Sequence, residues 1–341
     1  MSPSLDRRRA LLTASALWGT GLLPAMAQAP AWPVKPLRLV VPFPAGGTSD
    51  MLGRAIAAEL SGALGQPVAV ENIAGAGGVT GSAVVARAPA DGCTLLLSGI
   101  GQNAIAHALQ PPPPYREETD FIHISQLNAG PNVLVVPAGS PLRTLAELID
   151  FAKKNPGKLS YAQVNASSGH LAIELLRQTL TTCVGPAAAN NCSSPSFTGV
   201  PFAGGGPALA GLLDNQVSMM FTNQDSAAPH VRSGKLRALA VTSLFRNSLL
   251  PDVPSVSESG YPGFSAVSWA GLSVSAGTPA PIVARLEEEM IRRFKGTPAG
   301  RKLEELGFVV VASRSADYTA FVRSESGRWG RVVRAAGIKA G

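Results

Sequence analysis

Four turns in this chain combine glycine with hydroxyl or amide side chains directly after a strand-like apolar run. They are Pro42-Phe43-Pro44-Ala45-Gly46-Gly47-Thr48-Ser49-Asp50, Ser98-Gly99-Ile100-Gly101-Gln102-Asn103, Asn165-Ala166-Ser167-Ser168-Gly169-His170 and Phe202-Ala203-Gly204-Gly205-Gly206; Thr222-Asn223 closes a further run of the same kind. Glycine lets backbone N–H groups approach a ligand, and Thr or Ser at the next helix start can cap it. A helix amino terminus offers unpaired N–H groups and a partial positive charge, so an anion can be held there without an ion pair. None of the four turns contains Lys or Arg, so the chemistry they predict is anion capture by backbone groups, hydroxyls and water. The candidate ligand-binding residues are Phe43, Pro44, Ala45, Gly46, Gly47, Thr48, Ser49, Asp50, Ser98, Gly101, Asn103, Asn165, Ser167, Ser168, His170, Phe202, Gly204, Thr222 and Asn223. Any one of these turns could equally be only a tight turn with a cap; their recurrence at matching positions argues for a site.

Rival chemistries have little support. Gly75-Ala76-Gly77-Gly78-Val79-Thr80-Gly81 is near a dinucleotide fingerprint, but its third glycine falls one residue late. Gly-x-Ser-x-Gly, His-Glu-x-x-His and Cys-x-x-Cys do not occur, and His107, His123, His170 and His230 lack metal-ligand spacing. No metal, no cofactor and no catalytic residue is expected. Ser168 with His170 would permit a hydrolase; the more ordinary role for His170 is a hydrogen bond to a neighbouring loop.

The first residues place this site outside the cytoplasm. Arg7, Arg8 and Arg9 precede the apolar run Ala10 to Leu23, and Ala25-Met26-Ala27 supplies a small-x-small cleavage pattern, so residues 1–27 read as a signal peptide. The three arginines suit either the general or the twin-arginine route. The mature chain is expected to be soluble and periplasmic. There Cys183 and Cys192, flanking a turn-rich insert, could close a local disulfide worth about 2 to 3 kcal/mol. Cys93 reads as a buried small apolar residue. Without the leader, 26 basic residues face 21 acidic ones. The excess is mild and scattered, which excludes a nucleic-acid surface and leans slightly towards small anions.

Strand-length apolar runs alternate with helix-length amphipathic runs through most of the chain, the pattern of an α/β protein with parallel sheets. The length of 341 residues favours two lobes. Phe121 to Val136 reads as two strands separated by Asn128 to Asn132, where the chain first crosses between lobes. The expected organisation is lobe I from 28–130 plus 245–341 and lobe II from 131–244. Val135 to Pro141 and Val274 to Pro279 are similar strand exits and are placed near the hinge.

At these same loops the chain resembles the Bug-type solute-binding proteins of tripartite tricarboxylate transporters. The resemblance is carried by Trp32 to Asp50, Gly65-Gln66-Pro67-Val68, Glu71-Asn72, Gly75 to Gly78, Asp91-Gly92, Pro131 to Val136, Pro156 to Leu159, Leu236 to Ser243 and Leu250 to Pro254, and covers the whole mature chain. It implies a two-lobed, periplasmic-binding-protein-like fold of type II, a Venus flytrap in which each lobe is a mostly parallel sheet flanked by helices. It further implies a monomeric receptor that holds a small carboxylate (a di- or tricarboxylate, an acidic amino acid or an aromatic acid) and hands it to membrane transporter subunits, with a membrane signalling partner as the alternative. Phe43 to Asp50 and Asn165 to His170 match the family's carboxylate loops. Phe202-Ala203-Gly204 stands where Tyr-Lys-Gly is common, Thr222 where Asp is frequent and Ala106 where Asn is frequent; these departures favour a less polar or aromatic ligand.

Overall fold

The computed structural model describes residues 32–181 and 195–339. The leader and the Cys183–Cys192 insert lie outside them. The first lobe opens with β1 (Leu37–Val41), α1 (Thr48–Leu64), β2 (Val68–Asn72), α2 (Val79–Ala86) and β3 (Thr94–Gly99). β1 pairs in parallel with both β2 and β3. The unbroken apolar runs of these strands follow from burial on both faces: Leu39, Val41, Leu95 and Leu97 enter one core cluster, while Val40 and Leu96 enter another. On α1, Leu52, Ile56 and Leu60 recur every four residues as one buried stripe, and Gly65, at φ 68°, ends the helix. A Cβ at Gly53 would lie 2.4 Å from Val41 Cγ2, so glycine lets α1 press on β1.

A wide helical turn, Gly101–Ile105, and the short α3 (Glu117–Asp120) lead into β4 (Phe121–Pro137). Here the structure corrects the expectation of two strands: β4 is one continuous strand of 17 residues. At its polar middle Asn132 stays extended because its groups find partners inside. Asn132 N donates to Thr242 Oγ1, Asn132 Nδ2 donates to Ala266 O, and Asn132 Oδ1 accepts from Ser168 Oγ. Phe121 to Pro131 pair antiparallel with β9 (Val267–Ser275), and Ala129 and Asn128 also face β10 (Val309–Val310). From Asn132 onward the partners become β7 (Met220–Asn223) and β8 (Leu236–Val241). β4 therefore belongs to both lobes.

The second lobe adds α4 (Leu145–Lys154), β5 (Leu159–Gln163), α5 (Ser168–Thr181), β6 (Phe197–Pro201), α6 (Gly205–Leu213) and α7 (Gln224–Arg232). β5 and β6 are parallel, Tyr161 bridges Met219 in parallel, and β7 and β8 both run against β4. Val133 and Val135 face one core while Leu134 and Val136 face another, the period of two expected of a doubly covered strand. The fold is thus the expected two-lobed α/β architecture, with mixed sheets. Most strands of each lobe share one direction, and the reversals come from β9 and β10 in the first lobe and β4 in the second.

Between β8 and β9 the chain packs on elements of the second lobe: Val241 N donates to Pro254 O, and Leu250 is buried in the core cluster of β8, α6 and α7. It returns at Val267, opposite Pro131. α8 (Ala280–Phe294) and α9 (Pro298–Glu305) complete the first lobe, and α10 (Ser315–Ala336) packs on both, since Tyr318, Trp329 and Val333 share a core with Leu148 and Leu171. No helix among the described residues is long and apolar enough to cross a membrane.

Candidate functional site

A cavity of about 330 Å³ lies between the lobes, at the small end of the range for ligand cavities. The amino termini of α1, α5, α6 and α7 all reach it, through Gly47 to Ser49, Ser167 to Gly169, Gly205 to Pro207 and Asn223 to Ser226. Each of these helices follows a sheet strand at its carboxyl end, where α/β proteins collect ligands. Ser98 to Gln102 supply the floor from the first lobe, together with Trp269. The Trp269 indole is fixed: its Nε1 donates to Glu325 Oε2 at 3.0 Å, and its ring meets Tyr318 and Phe321 edge-on.

Of the residues singled out from the sequence, Phe43 to Ser49, Ser98, Gly101, Ser167, Ser168, Thr222 and Asn223 line the cavity. Asp50, Asn103, Asn165, His170, Phe202 and Gly204 do not, and each has a physical reason. Asp50 turns back into its own loop, accepting from Gly46 N, Arg54 Nε and Asn72 Nδ2. The Arg54 hydrogen bond, with those from Gly46 and Asn72, holds its carboxyl below the ordinary value. Asn103 accepts from Gly99 N and donates to Glu117. Asn165 reaches Lys339 O. His170 is buried beside Tyr161, where burial and the nearby Arg177 push its pKa down to about 4. Phe202 covers Gly211, where a Cβ would meet its ring at 2.6 Å. Gly204 meets Pro44 across the cleft. The Ser168–His170 hydrolase arrangement is absent: Ser168 Oγ donates to Asn132 Oδ1, and His170 faces the core.

The first-lobe wall is backed by a buried polar network. Ser98 Oγ hydrogen-bonds Tyr318 OH at 2.9 Å and accepts from Ser273 Oγ at 2.8 Å; Ser273 bonds His123 Nδ1, and His123 Nε2 lies 2.9 Å from Glu117 Oε1. Burial raises the Tyr318 pKa. Sequence reasoning missed this network because its members lie up to 220 residues apart. It also missed Trp269, and Asp225 of α7, which lines the cavity and accepts from Thr48 Oγ1 at 2.8 and 3.1 Å across the cleft. Burial raises the Asp225 pKa. The position of Asp225 in the first turn of α7 was the one available signal.

The lobes touch closely. Ala166 sits at φ 55°, a left-handed conformation uncommon for a residue with a side chain. A Cβ at Gly77 would lie 2.7 Å from Ala166 Cβ, and one at Gly101 would lie 2.7 Å from Ala166 O. Among the described residues no cluster of His, Cys, Asp and Glu fits a metal ion.

A two-lobed sheet scaffold with a cleft ringed by helix amino termini defines a solute-binding protein. Residues 52–338 match the family model described as tripartite tricarboxylate transporter family receptor. BugT of Bordetella pertussis is 34% identical over 98% of this chain and 99% of its own length. Among solved structures, Rpa4515 of R. palustris with adipate aligns with a TM-score of 0.82 and 33% identity, over 90% of this chain and 99% of that one. MatC of Rhodopseudomonas palustris with bound malate aligns at 0.80 and 34%, over 88% and 99%. The chain belongs to the tripartite tricarboxylate transporter receptor family, whose members are binding proteins and not enzymes.

Proposed function

We propose that this chain is a periplasmic receptor that captures a small organic carboxylate in the cleft and delivers it to the membrane subunits of a tripartite tricarboxylate-type transporter. The observation that carries the reading is the convergence of four helix amino termini, two glycine loops and the Ser167–Ser168 hydroxyls on one cavity with no Lys or Arg in its lining. The adipate and malate held by two structures of about one-third identity support a carboxylate ligand. The arginine-led segment 1–27 with its Ala25-Met26-Ala27 pattern supports export.

The lobe division that goes with this reading puts the crossings at Pro131 and Val267, so that lobe II extends through Ala266 and not only to 244. It is supported by the exchange of partners along β4 and by the packing of Leu250 on the second lobe. Closure is a hinge motion about β4 and β9, favoured by ligand because only the shut cleft presents both sets of helix termini.

A thermal-shift screen of residues 28–341, stripped of bound ligand by unfolding and refolding, tests the proposal against a panel of aliphatic and aromatic carboxylates. A ligand at about 100 times its dissociation constant adds roughly 2.7 kcal/mol, a shift of a few degrees. Silence across the panel from a correctly refolded sample overturns the carboxylate reading.

A further inference from the structure

The charge content of the cleft lining is uneven. Asp225 and His230, both on α7, are the only ionisable side chains among the residues that line it. The Asp225 carboxylate accepts from Thr48 Oγ1, the first residue of α1, and lies within the same group as Ser226 Oγ, 3.2 Å from that hydroxyl. No ion pair of Asp225 exists among the described residues. The cleft therefore already holds one anion at the α1 terminus, leaving the α5 and α6 termini, Ser167 to Gly169 and Gly205 to Pro207, to receive an anionic group. Phe43, Leu97, Ile100, Met220 and Trp269 form the apolar part of the lining, beside Gln102, Asn132 and Ser268.

We propose that the ligand is an amino-monocarboxylate, with one carboxylate at the α5 and α6 termini, an apolar body, and an ammonium group against Asp225. This rests on the carboxylate reading above and narrows it. A dicarboxylate would set its second negative charge near Asp225 in a lining without Lys or Arg, where like charges repel and water is expelled on closure. An ammonium there adds a charge-assisted donor to a carboxylate that otherwise accepts from Thr48 Oγ1 and from the Asp225 and Ser226 N–H groups, none of which carries a formal charge. Burial raises the Asp225 pKa, and a cationic partner offsets that cost.

Matched pairs that differ at one end test this by calorimetry: succinate with 4-aminobutyrate, glutarate with 5-aminopentanoate, adipate with 6-aminohexanoate, and terephthalate with 4-(aminomethyl)benzoate. For the length that fits, the amino member should bind at least about tenfold more tightly, and Asp225→Asn, which preserves shape, should remove that preference while the fold stays intact by circular dichroism. A dicarboxylate that binds as tightly as its amino partner in the wild type overturns the proposal without using any variant, and leaves the carboxylate reading standing. A preference that survives Asp225→Asn overturns the role of Asp225. Silence from all pairs, together with silence from the wider carboxylate panel, overturns both readings.

Discussion

On the first-lobe wall of the cleft, Thr48 reaches across, but other polar side chains secure the backbone behind the cavity: Asp50 binds the 43–47 loop, Asn103 binds Gly99, and Ser98 leads into the Tyr318, Ser273, His123 and Glu117 network. On the second-lobe wall, side chains turn inward: Ser167, Ser168, Thr222, Asn223 and Asp225 all reach the lining. The contrast assigns different physical tasks to the two walls. On the proposed function, the first is a scaffold that offers backbone N–H groups and the Trp269 face in fixed positions, and the second offers the groups that distinguish one ligand from another. Pre-positioning one wall reduces the ordering cost of binding.

The sharpest way to break this comparison is to remove the anchor of the scaffold. Glu117→Leu leaves His123 and Asn103 buried without their partner, and stability measured by denaturant titration should fall by about 3 kcal/mol or more. A loss under about 1 kcal/mol would show that the network does not hold the wall. Next in size is the contact between walls. Gly101→Val places its side chain against Ala166 O and Gly77 O, so the shut cleft is overpacked by about 1 to 3 kcal/mol. Ligand affinity by calorimetry should drop roughly ten- to a hundredfold; equal affinity would mean that the cleft shuts without that contact.

The smallest effect sharpens the scaffold side. The folded Asp50 pKa lies below the ordinary 3.8, so its contribution is present above that value and is lost as pH falls through the lower folded pKa. Asp50→Asn should cost about 1 to 2 kcal/mol at neutral pH and flatten the fall in stability below about pH 4. A variant whose acid profile matches the wild type would show that Asp50 does not hold the loop as a carboxylate.

Much of the fold was legible without coordinates. The pattern of apolar residues predicts a helix over 145–154 and a strand over 197–201, which are the bounds of α4 and β6, and helices starting at 48, 170, 282 and 316, within two residues of the starts of α1, α5, α8 and α10. Periods of 3.6 and 2 are local properties that a few turns of chain suffice to encode. The loops of the site were legible for the same reason, since glycine, serine and threonine after an apolar run mark a strand end and a helix start. Side-chain direction was not. Asp50, Asn103 and His170 look like ligand groups in the sequence, yet each has a better partner, or a better-buried position, on the far side of its own backbone.

What the sequence determined by itself is therefore the alternation of elements, the cation-free loops and the family to which they belong. The tertiary structure alone decided that Phe121 to Pro137 is one strand serving two sheets, that Trp269 floors the cleft, and that Asp225 meets Thr48 across 177 residues of chain. The physical reason is one of range. Propensity and periodicity act over a turn or two, whereas a hydrogen bond between lobes exists only once both lobes have folded and β4 has fixed how they face each other.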